Sequence, residues 1–136
     1  MSFIDRSRSL EELDGQRWPD PPADATGLVK AIHALRKRPI KDLNPTEVQR
    51  LITQDVGIRW LLPIGVEILH DTAPNQARGG FYDDDLLSAV LKCQPKTWTT
   101  YPELVPKVKE ILETLVDISP YIEDDTERFM RSIPQE

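Results

Sequence analysis

The chain has 136 residues, of which 39% are hydrophobic and 29% charged, with a formal net charge of −6 and one cysteine, Cys93. This is enough apolar material for one domain with its own core, and a single cysteine excludes an internal disulfide framework and a multi-cysteine zinc site. The acidic balance argues against direct nucleic-acid binding and is compatible with a basic protein partner.

Residues 1–8 contain no hydrophobic run typical of a signal peptide, and no later segment reaches the roughly 20 apolar residues of a membrane span. We therefore expect a cytoplasmic protein with a flexible N-terminus at residues 1–8 and a single helical domain at residues 9–136. Ser9 followed by Glu12 has the spacing of a capping box, which predicts a short helix that Gly15 would end.

Prolines dominate the segment Trp18–Pro22 and exclude a helix there. The segment is either a ligand for a proline-reading domain or an ordered strap held to the body of the protein by Trp18, and we prefer the strap.

A helix is predicted from Asp24–Thr26 to about Arg38, because Leu28, Ile32 and Leu35 recur with helical spacing and define a core-facing stripe. Its basic last turn is typical of a helix C-terminus, where cations complement the dipole.

The next helix has the clearest start in the chain: an asparagine cap at Asn44, proline at the first position and glutamate at the third. Its predicted buried stripe consists of Val48, Leu51 and Ile52.

The stretch Ile58–Leu69 is the most apolar part of the sequence. It predicts a tight corner at Gly57 and a buried central helix from about Pro63 to His70, around which the other helices pack. Residues 71–80 are rich in helix breakers and are predicted to form a loop.

Phe81 and Tyr82 lead into three aspartates, Asp83–Asp85, which predict the start of a helix because acids in a first turn complement the helix dipole. Contiguous aspartates lack the alternating spacing of a calcium loop, so no metal site is predicted.

Residues 95–100 are predicted to form a link holding Trp98. The apolar pattern of residues 102–118 predicts a helix that begins or is kinked at Pro106. Ser119 opens a last helix, for which we expect an apolar face of Ile122, Phe129 and Ile133 and exposed acids at Glu123, Asp124, Asp125 and Glu127.

No segment alternates long enough to predict a strand, and the fold class is therefore all-α: a compact multi-helix single domain around a buried central helix. The core is predicted to contain Trp60, Leu61, Ile64, Ile68, Leu86, Val90, Val108, Ile111 and Leu115.

Catalytic motifs are missing from the sequence: it has no phosphate loop, dinucleotide fingerprint or nucleophile elbow. The two histidines, His33 and His70, are far apart in sequence, and a pairing of His70 with Asp71 would lack a nucleophile. We predict a protein without enzymatic activity and without a cofactor, and Cys93 is interpreted as a near-core residue.

Nine short segments, taken in order, resemble the small helical immunity proteins of bacterial contact-dependent growth inhibition (CDI) systems. They are Ser9–Leu13, Trp18–Pro21, Leu35–Pro39, Asp42–Leu43, Glu47–Gln54, Gly57–Ile58, Leu61–Pro63, Asp85–Leu87 and Trp98. The resemblance covers roughly residues 9–100. Gly65-Val66 replaces an expected Ala-Leu, and Asp84 replaces an expected glycine.

This resemblance implies a cytoplasmic protein that neutralises a cognate toxin domain, often a nuclease, delivered by neighbouring cells. A non-enzymatic helical adaptor that presents its strap or a helix groove to another protein is the alternative. A nuclease holds phosphates with cations, so carboxylates are the expected partner-binding groups.

Two acidic clusters are candidates for the toxin contact. The first is Tyr82 with Asp83, Asp84 and Asp85, and the second is Glu123, Asp124 and Asp125 with Glu127. We favour the first because it pairs acids with a tyrosine expected to be exposed, after a glycine-bearing loop. Helix-dipole stabilisation alone also explains the aspartates.

Overall fold

The computed structural model describes residues 4–80 and 82–133. Phe81, expected beside the first acidic cluster, lies outside the described residues. Helices and turns make up this part of the chain, which contains no strand beyond one isolated bridge between Ser9 and Pro39, so the predicted all-α class is confirmed. The helices are α1 (Leu10–Asp14), α2 (Gly27–Leu35), α3 (Pro45–Thr53), α4 (Ile58–Ala77), α5 (Asp84–Leu91), α6 (Pro95–Thr100), α7 (Val105–Thr114) and α8 (Pro120–Ser132).

The predicted helix starts near the N-terminus are confirmed by their hydrogen bonds. Ser9 and Glu12 form a capping box at α1, and Gly15 ends that helix in the left-handed conformation at φ 70°. Asn44 and Glu47 form a second capping box at α3. These local signals are readable from sequence because each cap satisfies backbone groups of its own helix turn.

α2 is shorter than predicted, and only the C-terminal part of its predicted apolar stripe is buried. It ends at Leu35 rather than at Arg38, and Leu28, expected on the buried stripe, is 43% exposed. Ile32 and Leu35 are buried as predicted, whereas Arg36 just beyond the helix is buried although it is charged. Only the C-terminal part of α2 therefore contributes apolar side chains to the core.

Buried Arg36 holds the proline-rich strap against the body. Its guanidinium donates to Asp14 Oδ2 at 2.7 Å and to the Gln16 carbonyl at 2.7 Å, and its Cζ lies 4.1 Å from the centroid of the Trp18 ring. His33 packs edge-on against the same ring, with centroids 5.1 Å apart. The expectation that Trp18 is held to the body is confirmed.

The corner between α3 and α4 is formed where predicted, by Asp55 at φ 60° and Gly57 at φ 68°. A Cβ at Gly57 would lie 2.8 Å from two methyl carbons of Leu10, so both the φ angle and the close packing require glycine there.

The predicted limits of the central helix are wrong at both ends. α4 begins at Ile58 and continues to Ala77, so it includes most of the segment predicted as a loop, and Pro63 and Pro74 both lie inside it. A proline removes a backbone hydrogen bond from a helix interior. Leu69 and Ala73 are buried along this helix, so its packing in the core opposes that cost.

The central position of α4 is confirmed: it packs against α3, α5 and α7, while α5 packs against α3, α4 and α8. Two of the predicted core residues, Trp60 and Ile68, are only half-buried at the edge of the core. The other seven are buried: Leu61, Ile64, Leu86, Val90, Val108, Ile111 and Leu115.

The C-terminal part differs from prediction in two places. The segment predicted as a link is helix α6, where Trp98 is fully buried against Phe129 with ring centroids 5.0 Å apart. α7 begins next to Pro106 as predicted, but it ends at Thr114, which leaves Val116 47% exposed. In α8 the predicted apolar face is buried. None of the described helices is long and apolar enough to cross a membrane.

Candidate functional site

The aspartates at the start of α5 have different roles. Asp83 is half-buried, and its Oδ1 accepts a hydrogen bond of 2.9 Å from the backbone N–H of Leu86, which caps the helix. Asp84 and Asp85 occupy the first turn and are exposed. The Asp83 carboxylate is therefore engaged as the helix cap, while those of Asp84 and Asp85 complement the helix dipole and are also accessible to a partner.

The expectation of an exposed Tyr82 is wrong. Its side chain is 8% exposed, and its hydroxyl donates to the Leu69 carbonyl of α4 at 3.1 Å. Burial raises the pKa of the Tyr82 phenol, and the charges of Asp84 and Asp83 raise it further. The ring therefore belongs to the core, and its hydroxyl is satisfied by a backbone carbonyl of α4.

The acids of α8 are exposed as predicted at Glu123, Asp124 and Glu127, but not at Asp125. Asp125 is 4% exposed, and its Oδ2 accepts a hydrogen bond of 2.7 Å from the Ser88 hydroxyl of α5. It lies on the same helical face as Ile122 and Phe129, and that face packs against the rest of the protein. This carboxylate is a structural link between the two helices.

The contact between α5 and α8 brings Asp84 and Asp85 of the first cluster close to the side of α8 that carries Tyr121 and Asp124. Tyr121 is 47% exposed, and its pKa is raised by partial burial and by the charge of Asp84, with smaller effects from Asp85 and Asp125. Tyr121 and Asp124, three residues apart on α8, are neighbours on the helix surface. We call the resulting patch the acidic surface: Asp84, Asp85, Tyr121 and Asp124, with the exposed Arg128 on the same face of α8. Glu123 and Glu127 are exposed on another side of α8, about 120–160° around the helix from Tyr121.

From sequence, the two clusters are alternative candidates for the toxin contact, and Tyr121 is not among the predicted contact residues. The available signal was its position directly before the buried Ile122, which places it off the apolar stripe of α8. What the sequence could not supply was the packing of α8 on α5.

His70 and Cys93, the other side chains with chemistry suited to catalysis, make contacts that explain their presence without a catalytic role. The side-chain partner of His70 is Glu110, with 2.8 Å between Nε2 and Oε2, and not Asp71, the pairing considered from sequence. Cys93 is a near-core residue as interpreted, and burial, with a smaller effect of the Asp55 charge, raises the pKa of its thiol to about 12. Such a thiol is a poor nucleophile near neutral pH.

A family model described as CDI immunity proteins matches residues 12–108 of the chain. The chain belongs to this family. It is an immunity protein for a CDI toxin, and its partner is a cognate CDI toxin. No curated protein and no solved structure matches the chain.

The match divides the acidic surface of this CDI immunity protein. Asp84 and Asp85 lie within the matched residues, whereas α8, with Tyr121 and Asp124, follows their end at residue 108. The helix that completes the acidic surface is therefore beyond the part of the chain that the family model describes.

Proposed function

We propose that this CDI immunity protein neutralises a nuclease toxin domain by covering the active site with its acidic surface. A nuclease binds the phosphates of its substrate with cationic side chains, and those side chains attract carboxylates when a protein inhibitor replaces the substrate. The observation that carries the proposal is the placing of acids from both clusters, Asp84 and Asp85 of α5 and Asp124 of α8, around the exposed Tyr121.

Each part of the acidic surface has a physical role in this proposal. The carboxylates speed the encounter with a basic toxin and orient it, because the summed field acts before contact. Tyr121 offers an amphipathic ring at the centre of the patch, and tyrosine is among the residues that dominate interface energetics. The Ser88–Asp125 hydrogen bond fixes the relative position of the two helices.

Inhibition in this proposal is stoichiometric and needs no chemistry from the immunity protein. It takes place in the cytoplasm, where the nucleic-acid substrates of the toxin lie. Neither histidine takes part, since His33 packs on Trp18 and His70 pairs with Glu110.

The test is a titration of the toxin domain encoded by the neighbouring gene, with cleavage of plasmid DNA and of total RNA as readouts. We expect cleavage to disappear at equimolar immunity protein, and the His33→Gln, His70→Gln double variant to inhibit equally well. We also expect the complex to lose binding of a fluorescent oligonucleotide. A complex that still binds the oligonucleotide, yet no longer cleaves, would place inhibition away from the active site.

A further inference from the structure

A concave surface lies apart from the acidic surface, on other elements of the fold. It is a groove of about 810 Å³ between the N-terminal segment, the first half of α4 and the chain entering α7. Half-buried Trp60 and Tyr101 contribute aromatic lining, and Leu104 lies beside them. The volume is in the range of sites that bury most of a small ligand or a short peptide segment.

The groove carries positive charge in a protein whose formal net charge is −6. Arg6, Arg59 and Lys107 line it together with Glu67 and Glu103. Arg6 and Glu67 form an ion pair with each other and are mutually neutralised. Across residues 4–80 and 82–133, the side chains of Arg59 and Lys107 make no ion pair. Apart from the Arg6–Glu67 pair, the groove lining therefore carries two cations, Arg59 and Lys107, and one carboxylate, Glu103, so its net charge is positive.

Arg59 is placed to bind a carboxylate. Its guanidinium lies 5.4 Å from the centroid of the Trp60 ring, and the side chain is exposed. A guanidinium over an aromatic face keeps its planar fork of N–H donors free for a two-point hydrogen bond with a carboxylate. Lys107, on α7, supplies a second donor from a different wall of the groove.

The geometry points to this groove as the docking site for an extended acidic segment of the cognate toxin, making a contact of opposite sign to that of the acidic surface. The inference rests on the proposed function, because it takes the toxin as the occupant. An extended segment suits an open groove with separated cations, since alternate side chains can reach the aromatic lining and the charges. Two contacts of opposite sign also exclude partners whose charges do not match both.

The test compares two charge-reversed variants of the full chain for binding to the toxin domain by biolayer interferometry. The groove variant is Arg59→Glu with Lys107→Glu. The control is Arg50→Glu with Lys109→Glu, which makes the same change in net charge at exposed residues outside the groove lining. We expect about a tenfold loss of affinity for the groove variant, mainly through faster dissociation, and less than about a twofold change for the control.

Circular dichroism checks the fold of both variants. If the groove variant does not fold, the charge-neutralising variant Arg59→Gln with Lys107→Gln replaces it. Equal affinity of groove and control variants would overturn the groove inference and leave the proposed function standing. A wild-type protein that forms no complex with the toxin domain would overturn both. A wild-type dimer in light scattering that the groove variant abolishes would make a second copy the occupant and would also overturn the inference.

Discussion

Ser88 on α5 donates a hydrogen bond of 2.7 Å to Asp125 on α8, and this bond joins the helices that carry the two halves of the acidic surface. The acceptor carboxylate is 4% exposed, so little solvent competes for it. A carboxylate in that position costs free energy to bury unless it is hydrogen-bonded. The pair therefore makes the stability of the α5–α8 contact depend on a polar link as well as on apolar packing.

Asp125→Ala is expected to lower the free energy of unfolding by about 1.5–3 kcal/mol, because it removes a hydrogen bond to a carboxylate and leaves the Ser88 hydroxyl without its partner. Urea denaturation of Asp125→Ala, Ser88→Ala and the double variant gives the coupling energy between the two side chains. Asp124→Ala, at the exposed neighbouring position, is the control and should stay within about 0.5 kcal/mol of wild type. If the losses of unfolding free energy in the two single variants add up to the loss in the double variant, the hydrogen bond contributes nothing to stability.

Arg36→Ala is expected to destabilise the protein by about 2–4 kcal/mol and to release the strap. The change removes a buried cation that binds Asp14, the Gln16 carbonyl and the face of Trp18. Urea unfolding followed by tryptophan emission measures both effects, with a red shift expected as Trp18 becomes solvated. Arg50→Ala, which removes an exposed arginine of α3 away from the strap, is the control. A Trp18 environment unchanged in Arg36→Ala would contradict the role assigned to Arg36.

The Arg36–Asp14 pair also predicts a dependence of stability on pH. Burial raises the pKa of the Asp14 carboxyl, but hydrogen bonds from Arg36 and the Gln16 N–H outweigh it, and the net pKa is lowered. A lowered folded-state pKa stabilises the protein above the unfolded-state value of about 4, and this contribution is lost as pH falls through the folded-state value. Asp14→Asn should therefore lose less stability than wild type in urea unfolding below about pH 4. Asp24→Asn, at an exposed position, is the control, and a wild-type-like acid slope in Asp14→Asn would refute this prediction.

Gly65→Ala is expected to stabilise the protein by about 0.5–1 kcal/mol, because glycine is a poor residue inside a helix. An added Cβ would lie 3.1 Å from Ile52 Cδ1, 3.6 Å from Leu86 Cδ1 and 3.7 Å from Val90 Cγ2. The closest atom ends a side chain that can shift by a few tenths of an ångström. Thermal melts of Gly65→Ala, alone and with Ile52→Val, separate the gain in helix propensity from the crowding of the new Cβ against Ile52. Destabilisation in both backgrounds would show that the site is too crowded.

These cases show which features were readable from sequence. The capping boxes at Ser9 and Asn44 depend on residues within one helix turn, and both were predicted correctly. The limits of α4 were not, because Pro74 reads locally as a helix breaker, whereas α4 is also held by packing on α3, α5 and α7, which are distant in sequence. Local chemistry determined the helix starts, and tertiary packing determined how far α4 extends.

The candidate site was predictable only as a set of charges. The exposed acids of α8 were identified from helical spacing, whereas the burial of Tyr82 and Asp125 depends on acceptors and donors from other helices. The position of Tyr121 beside Asp84 likewise requires the packing of α8 on α5. Hydrogen-bond partners across helix interfaces decided which polar side chains reach the surface.

The central claim, that the acidic surface meets a basic toxin, is tested most directly by association kinetics. The variant Asp84→Asn with Asp124→Asn removes one charge from each cluster and leaves the capping Asp83 intact. The control, Asp24→Asn with Asp42→Asn, removes two exposed carboxylates outside the acidic surface. Stopped-flow binding to the toxin domain should show association about tenfold slower than the control at low salt, with a shallower salt dependence. Equal association rates of variant and control at low and at moderate salt would contradict the claim.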